Sequence, residues 1–229
     1  DPGTTWNERA RADKPDWMSP RMAWRAIQSA LPKDAIISSD IGNNCAIGNA
    51  YPSFDEGRKY LAPGLFGPCG YGLPAIIGAK IGCPHVPVVG FAGDGAFGIS
   101  VTELTAIGRK EWPAITHIVF RNYQWGAEKR NSTLWYDDNF VGTELDEKVS
   151  YAGIAQACGL KGVVARSMDE LREALTEACR AQMEDGVTTL IEAMINQELG
   201  EPFRRDAMKK PNVVAGIDPA DMRPQPGHG

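Results

Sequence analysis

Val86-Pro87-Val88-Val89-Gly90-Phe91-Ala92-Gly93-Asp94-Gly95, separated by 26 residues from Asn122, is the stretch that decides the fold. The run from Val86 to Ala92 is apolar at consecutive positions, as expected of a parallel strand buried on both faces. Ile115 to Phe120, immediately before Asn122, reads as a second such run, and Ala96 to Gly108 between them reads as a helix. Strand, helix and strand at this spacing call for a right-handed crossover between parallel strands. Asp94 and Asn122 then fall together at the carboxyl edge of one sheet, where open α/β sheets bind their ligands. A carboxylate and an amide oxygen suit a hard cation such as Mg²⁺. A helix N-terminus aimed at the same place favours an anion. The pattern therefore points to a diphosphate held through a metal ion. Alone, Gly93-Asp94-Gly95 would be no more than a turn; its flanking strand and helix, with Asn122, give it weight.

Outward from this unit the same alternation continues. A helix starts at Ser19-Pro20, with Ser as cap and Pro in the first turn. Ala35 to Ser39 reads as a strand, followed by Asp40-Ile41-Gly42-Asn43-Asn44. A short strand is expected near Lys59 to Ala62 and a helix over Gly70 to Gly82. Residues 125–149 read as mixed structure. A helix from Tyr151 closes at Gly159, a strand covers Gly162 to Ala165, Ser167 caps a helix from Met168 to Glu184, and Val187 to Met194 is a last strand. The expected fold is a doubly wound, mostly parallel six-stranded α/β sheet with helices on both faces. Residues 1–18 read as a linker or arm, 19–200 as the domain, and 201–229 as a tail carrying Arg204, Arg205, Lys209 and Lys210.

The bulk numbers exclude several classes. The chain has 229 residues, 43% apolar content and 25 glycines, enough for a sizeable core. A net charge of −5 without a basic stripe argues against nucleic acid as a partner. No apolar run reaches membrane-spanning length, and no signal peptide is visible. The five cysteines are scattered and lack a Cys-x-x-Cys pair, which favours reduced thiols in a cytoplasm-like compartment. The chain opens on Asp1 without Met, consistent with part of a longer polypeptide. Of the three histidines, His117 reads as a satisfied core group.

Gly93-Asp94-Gly95 with Asn122 resembles the signature of the thiamine diphosphate (ThDP) enzymes, in which Gly-Asp-Gly precedes a pair of asparagines. Here Arg121-Asn122 stands where the family has two asparagines, and the metal-binding second one is kept. The resemblance implies ThDP and Mg²⁺ as cofactors, with Asp94, Asn122 and the Gln124 carbonyl as metal ligands and Gly93, Gly95 and Ala96 against the diphosphate. The run Gly67-Pro68-Cys69-Gly70-Tyr71-Gly72-Leu73-Pro74-Ala75-Ile76-Ile77-Gly78-Ala79 is similar to the family's glycine-rich turn. That likeness implies a Gly67 carbonyl holding the aminopyrimidine and Cys69 bending the cofactor into its V shape, although larger side chains are usual there. Cys69 as a small core residue is the alternative. Asn43 and Asn44 would reach the diphosphate, or else form an Asx turn or helix cap. Glu128 matches a position that holds a carboxylate in some ThDP decarboxylases, which implies proton relay; a surface pairing with Lys129 or Arg130 is the alternative.

Within that family, Phe66–Gly72, Phe120–Lys129 and Glu201–Pro211 are similar to the sulfoacetaldehyde acetyltransferase branch. This implies a small anionic substrate with phosphate as acceptor, and acyl transfer between them. It also implies a homodimer or homotetramer in which a pyrimidine-binding domain of the same or a partner subunit completes the cleft. The basic tail would grip anions or simply be solvated. An acetolactate synthase or a sulfopyruvate decarboxylase subunit remains as the related alternative, and a flavodoxin-like binding or regulatory module as the unrelated one.

Overall fold

The computed structural model describes residues 5–54, 57, 59–109 and 111–199, the side chains of 134 and 135 aside. Among these residues one six-stranded sheet runs in the order β2-β1-β3-β4-β6-β5. The strands are β1 (Ile36–Ser39), β2 (Tyr60–Leu61), β3 (Val88–Gly93), β4 (Thr116–Arg121), β5 (Lys161–Ala165) and β6 (Thr189–Met194), and each neighbouring pair is parallel. The helices are α1 (Trp6–Asp13), α2 (Pro20–Ala30), α3 (Asn43–Gly48), α4 (Gly72–Gly82), α5 (Asp94–Ser100), α6 (Leu104–Ile107), α7 (Gly126–Trp135), α8 (Tyr151–Ala157) and α9 (Met168–Glu184). A 3₁₀ turn at Val101–Glu103 joins α5 to α6. The doubly wound parallel sheet is the one expected.

Period-2 alternation on buried strands divides the core into two layers. Val89 and Phe91 of β3, Ile118 and Phe120 of β4, and Ile191 and Ala193 of β6 face one way, against Trp24 and Ile27 of α2 and Leu171 and Leu175 of α9. Val88 and Ala92, Val119 and Leu190 face the other way, against Leu73 and Ile76 of α4, Phe97 of α5 and Ala155 of α8. Trp24 anchors the first layer: its ring lies 4.8 Å from Phe91 and 5.2 Å from Phe120, and its indole N–H donates to the Asn44 carbonyl at 2.7 Å. Burying an aromatic ring of this size typically stabilises by several kcal/mol.

Several local readings change. The arm expected over residues 1–18 carries α1, started by a Thr5–Glu8 capping box. The helix expected from Ala96 begins at Asp94 itself, so the carboxylate sits in the first turn. Residues 126–135, read as mixed, form α7. The tail residues Arg204, Arg205, Lys209 and Lys210 lie outside the described residues.

His117 corrects another expectation. It is buried, but neither ring nitrogen has a hydrogen-bond partner. Its ring packs 5.2 Å from Phe97 in space left by Gly90, where a Cβ would come 2.2 Å from Nδ1. Burial lowers its pKa from 6.5 to about 3. The folded chain therefore refuses a proton that the unfolded chain accepts below pH 6.5, and stability falls as pH drops from there towards 3. At one proton per pH unit this is a loss of about 2 kcal/mol by pH 5. His117→Leu should remove that loss, read as denaturation midpoints at pH 7 and pH 5. Equal acid sensitivity in both proteins would contradict it.

Candidate functional site

The carboxyl ends of β1, β3 and β4 meet at a cleft with about 50 Å³ of free space. Its wall brings together Asn43, Asn44, Cys69, Gly93, Asp94, Gly95, Ala96, Gln124 and Glu128, most of the residues singled out from the sequence. Gly67 and Asn122 stand beside it, not on its wall. A larger cavity of about 570 Å³ opens between α1 and α2, near Arg11, Arg21 and Arg25. Its lining includes Asn7, Asn196 and Glu198 but none of Asp94, Asn122 and Gln124, the residues that the sequence singles out as oxygen ligands.

Asp94 is fixed from several sides. Its Oδ2 accepts from the backbone N–H of Asn122 at 3.0 Å, that of Tyr123 at 2.6 Å, and Arg121 Nη1 at 3.1 Å. Oδ1 accepts from the Gly95 N–H at 3.0 Å. The Tyr151 hydroxyl donates to the Asp94 carbonyl at 3.0 Å. Burial raises the carboxyl pKa to about 6, against the pull of Arg121 and of the two backbone N–H groups. A carboxylate driven out of water in this way gains most from a cation. Gly95 must be glycine for close approach: a Cβ there would come 2.8 Å from the Trp125 ring.

The neighbouring oxygens fit a hard cation. Asn122 Oδ1, Gln124 Oε1 and Asn44 Oδ1 are buried without hydrogen-bond partners. An unsatisfied buried acceptor costs about 1–3 kcal/mol unless something meets it. Among the described residues no cluster of three His, Cys, Asp or Glu side chains exists. One carboxylate among amide oxygens is a donor type that suits Mg²⁺ better than the softer metals.

Two residues do more than the sequence indicated. Asp40, buried at the end of β1, accepts from Gly70 N–H at 3.0 Å and Gly72 N–H at 2.7 Å. Its carboxylate thereby shapes the turn that carries Cys69, with Gly67 at φ 57° and Gly70 at φ 88°. Burial, then the Asp40 and Glu128 carboxylates, push the Cys69 thiol up, so it stays an uncharged side chain on the cleft wall. Asn43 Nδ2 donates to the Leu199 carbonyl at 2.7 Å and the Gly126 carbonyl at 3.4 Å, so this amide braces the start of α7. Glu128 is exposed on the first turn of α7. Lys129 does not serve Glu128: it turns inward, bonds Glu144 and lies 4.0 Å from the Trp6 ring centroid of α1.

The sulfoacetaldehyde acetyltransferase of Roseovarius nubinhibens is 85% identical over 225 residues, covering 98% of this chain and 37% of that protein. That of Rhodobacter capsulatus is 84% identical over 226 residues, covering 99% of this chain and 38% of that protein. The chain thus spans well under half the length of these relatives. A ThDP-dependent 4-hydroxybenzoylformate decarboxylase from Rhodococcus jostii RHA1 superposes with a TM-score of 0.71 at 23% identity, over 79% of this chain and 33% of that one, and shares the fold. The family model of the thiamine pyrophosphate enzymes, C-terminal TPP binding domain, matches residues 40–193, from the Asp40 carboxylate to the end of β6. With the metal-type edge inside that span, this chain belongs to the thiamine pyrophosphate enzymes and contains their C-terminal cofactor-binding domain.

Proposed function

We propose that this chain is the cofactor-binding part of a ThDP-dependent sulfoacetaldehyde acetyltransferase, which converts sulfoacetaldehyde and phosphate into acetyl phosphate and sulfite. The likeness to relatives of that name over nearly the whole chain supports this choice over an acetolactate synthase or a sulfopyruvate decarboxylase. The observation that carries the cofactor reading is the unpaired, buried Asn122 Oδ1 next to a buried Asp94 at the head of α5.

In this reading Asp94, Asn122 and the Gln124 carbonyl hold Mg²⁺. Backbone at Gly93, Gly95 and Ala96, with Asn44 and the backbone of Asn43, receives the diphosphate. The Gly67 carbonyl meets the aminopyrimidine, and Cys69 supports the bent cofactor. ThDP, when bound, supplies the nucleophile and electron sink for the carbonyl carbon. Glu128, on the rim beside Cys69, moves protons to and from the reacting oxygen and carbon. A pyrimidine-binding domain, on the same polypeptide or a partner subunit, supplies the opposite wall, and the active form is a homodimer or homotetramer. Among the described residues no helix is long and apolar enough to cross a membrane, and all five cysteines are free, which favours a cytoplasm-like compartment.

The test is product analysis on the full-length protein. Sulfite and acetyl phosphate should appear in equal amounts from sulfoacetaldehyde and phosphate, and only when ThDP and Mg²⁺ are both present. Acetolactate from pyruvate without sulfite release would refute the assignment. Residues 1–229 alone should bind ThDP weakly and release no sulfite.

A further inference from the structure

Two charged side chains lie on a buried sheet face whose other residues are apolar or, like Ser38 and His117, uncharged. On β4, His117, Val119 and Arg121 share the face beneath α8; on β6, Leu190 and Glu192 continue it. Arg121 and Glu192 are both buried, with side chains 1% and 4% exposed. Arg121 stands between two carboxylates: Nη1 donates to Asp94 Oδ2 at 3.1 Å, and Nε forms an ion pair with Glu192 Oε1 at 3.5 Å. Its Nη2 donates to the carbonyls of Asp146 at 2.6 Å and Val149 at 2.9 Å. The guanidinium carbon lies 4.1 Å from the Tyr123 ring centroid and 5.1 Å from that of Tyr151. Glu192 Oε2 accepts from Ser150 Oγ at 3.0 Å and Ala152 N–H at 3.1 Å, which ties the pair to the start of α8.

We propose that Arg121, with Glu192 as its counter-ion, is the positioning residue that holds the Asp94 carboxylate in its metal-binding orientation. Three donors occupy Oδ2, so Oδ1, which accepts from its neighbour Gly95, is the oxygen left with capacity for a cation. Tyr123 sits at φ 60°, a left-handed conformation that a tyrosine adopts at a cost. The bond from its N–H to Asp94 and the guanidinium against its ring hold it there. This turn separates Asn122 from Gln124, so the same clamp sets both remaining metal-type oxygens. Its five donors on a rigid planar fork let Arg121 serve a carboxylate and two carbonyls at once, which a lysine ammonium cannot do from one point. The role is not electrostatic attraction, since a cation here repels Mg²⁺.

The inference rests on the Mg²⁺-ThDP reading above, and the experiment separates the two. The measurement is the Mg²⁺ concentration for half-maximal ThDP binding in the full-length protein, by calorimetry, beside the melting temperature of the metal-free protein. The first variant, R121N/E192Q, removes both buried charges together. Asp94, Arg121 and Glu192 carry one net negative charge, and the double variant keeps that charge on Asp94. The second, R121K, keeps the buried cation and so the fold. In both variants the Mg²⁺ requirement should rise at least tenfold while excess Mg²⁺ restores wild-type ThDP affinity. A requirement within twofold of wild type in both would overturn the proposal, as would a loss of ThDP binding that excess Mg²⁺ cannot restore. Mg²⁺-independent ThDP binding, or none, in the wild type would instead sink the cofactor reading itself.

Discussion

Replacing Asp94 with alanine should abolish Mg²⁺-dependent ThDP binding in the full-length protein, the largest effect expected of any single change. Asp94 is the one carboxylate among the three proposed protein ligands, and a hard cation bridging to a diphosphate depends on it. The loss is compounded in the ligand-free site, because Arg121 would be left buried with Glu192 as its single charged partner. Undiminished ThDP affinity in Asp94→Ala, measured by titration with and without Mg²⁺, would remove the metal assignment. Asn122→Ala should weaken binding less, since a neutral ligand is lost and its unpaired Oδ1 goes with it. The wild type should show a milder form of the same defect in acid. With the Asp94 carboxyl at about 6, a proton competes with the metal below that pH. Mg²⁺ affinity should then fall by about tenfold per pH unit.

The second large effect is expected at Glu128. Glu128→Gln should leave ThDP and Mg²⁺ binding intact and lower turnover of the full-length enzyme by roughly 10²–10⁴-fold, the usual contribution of a positioned acid–base group. Glu128 lines the cleft together with Cys69, whose thiol its charge helps push up, and this position is the reason for the proposed acid–base role. Lys129, one of the two neighbours named as surface partners of Glu128, is committed to Glu144 and the Trp6 ring. Turnover within threefold of wild type would return Glu128 to the surface. A parallel loss of cofactor affinity would mean that it braces α7, not the reaction.

Why some elements were legible and others not follows from range. β3 and β4 announce themselves because strands buried on both faces are mostly apolar, with Thr116 and His117 as exceptions in β4, and α9 because Ser167 caps a strongly amphipathic run. α7 escaped because its run, Gly126 to Trp135, is polar and has no side-chain cap. Lys129, set against Trp6 of the N-terminal arm and against Phe140, helps hold it. His117 was read as satisfied because a strand alone does not reveal that Gly90 across the ladder leaves room for a ring without offering it a partner.

The sequence by itself determined the parallel sheet, its carboxyl edge, and the meeting of Asp94 with Asn122 there. Those follow from strand periodicity and right-handed crossovers, which are local rules. It also shows one positive and one negative residue, Arg121 and Glu192, each in a buried strand. Tertiary structure alone decided that these two meet across adjacent strands, that Arg121 also grips Asp94, and that Asp40 shapes the Cys69 turn some 30 residues away. Such contacts depend on which strands become neighbours and on which buried donors and acceptors remain to be satisfied once they do. No spacing along the chain encodes that.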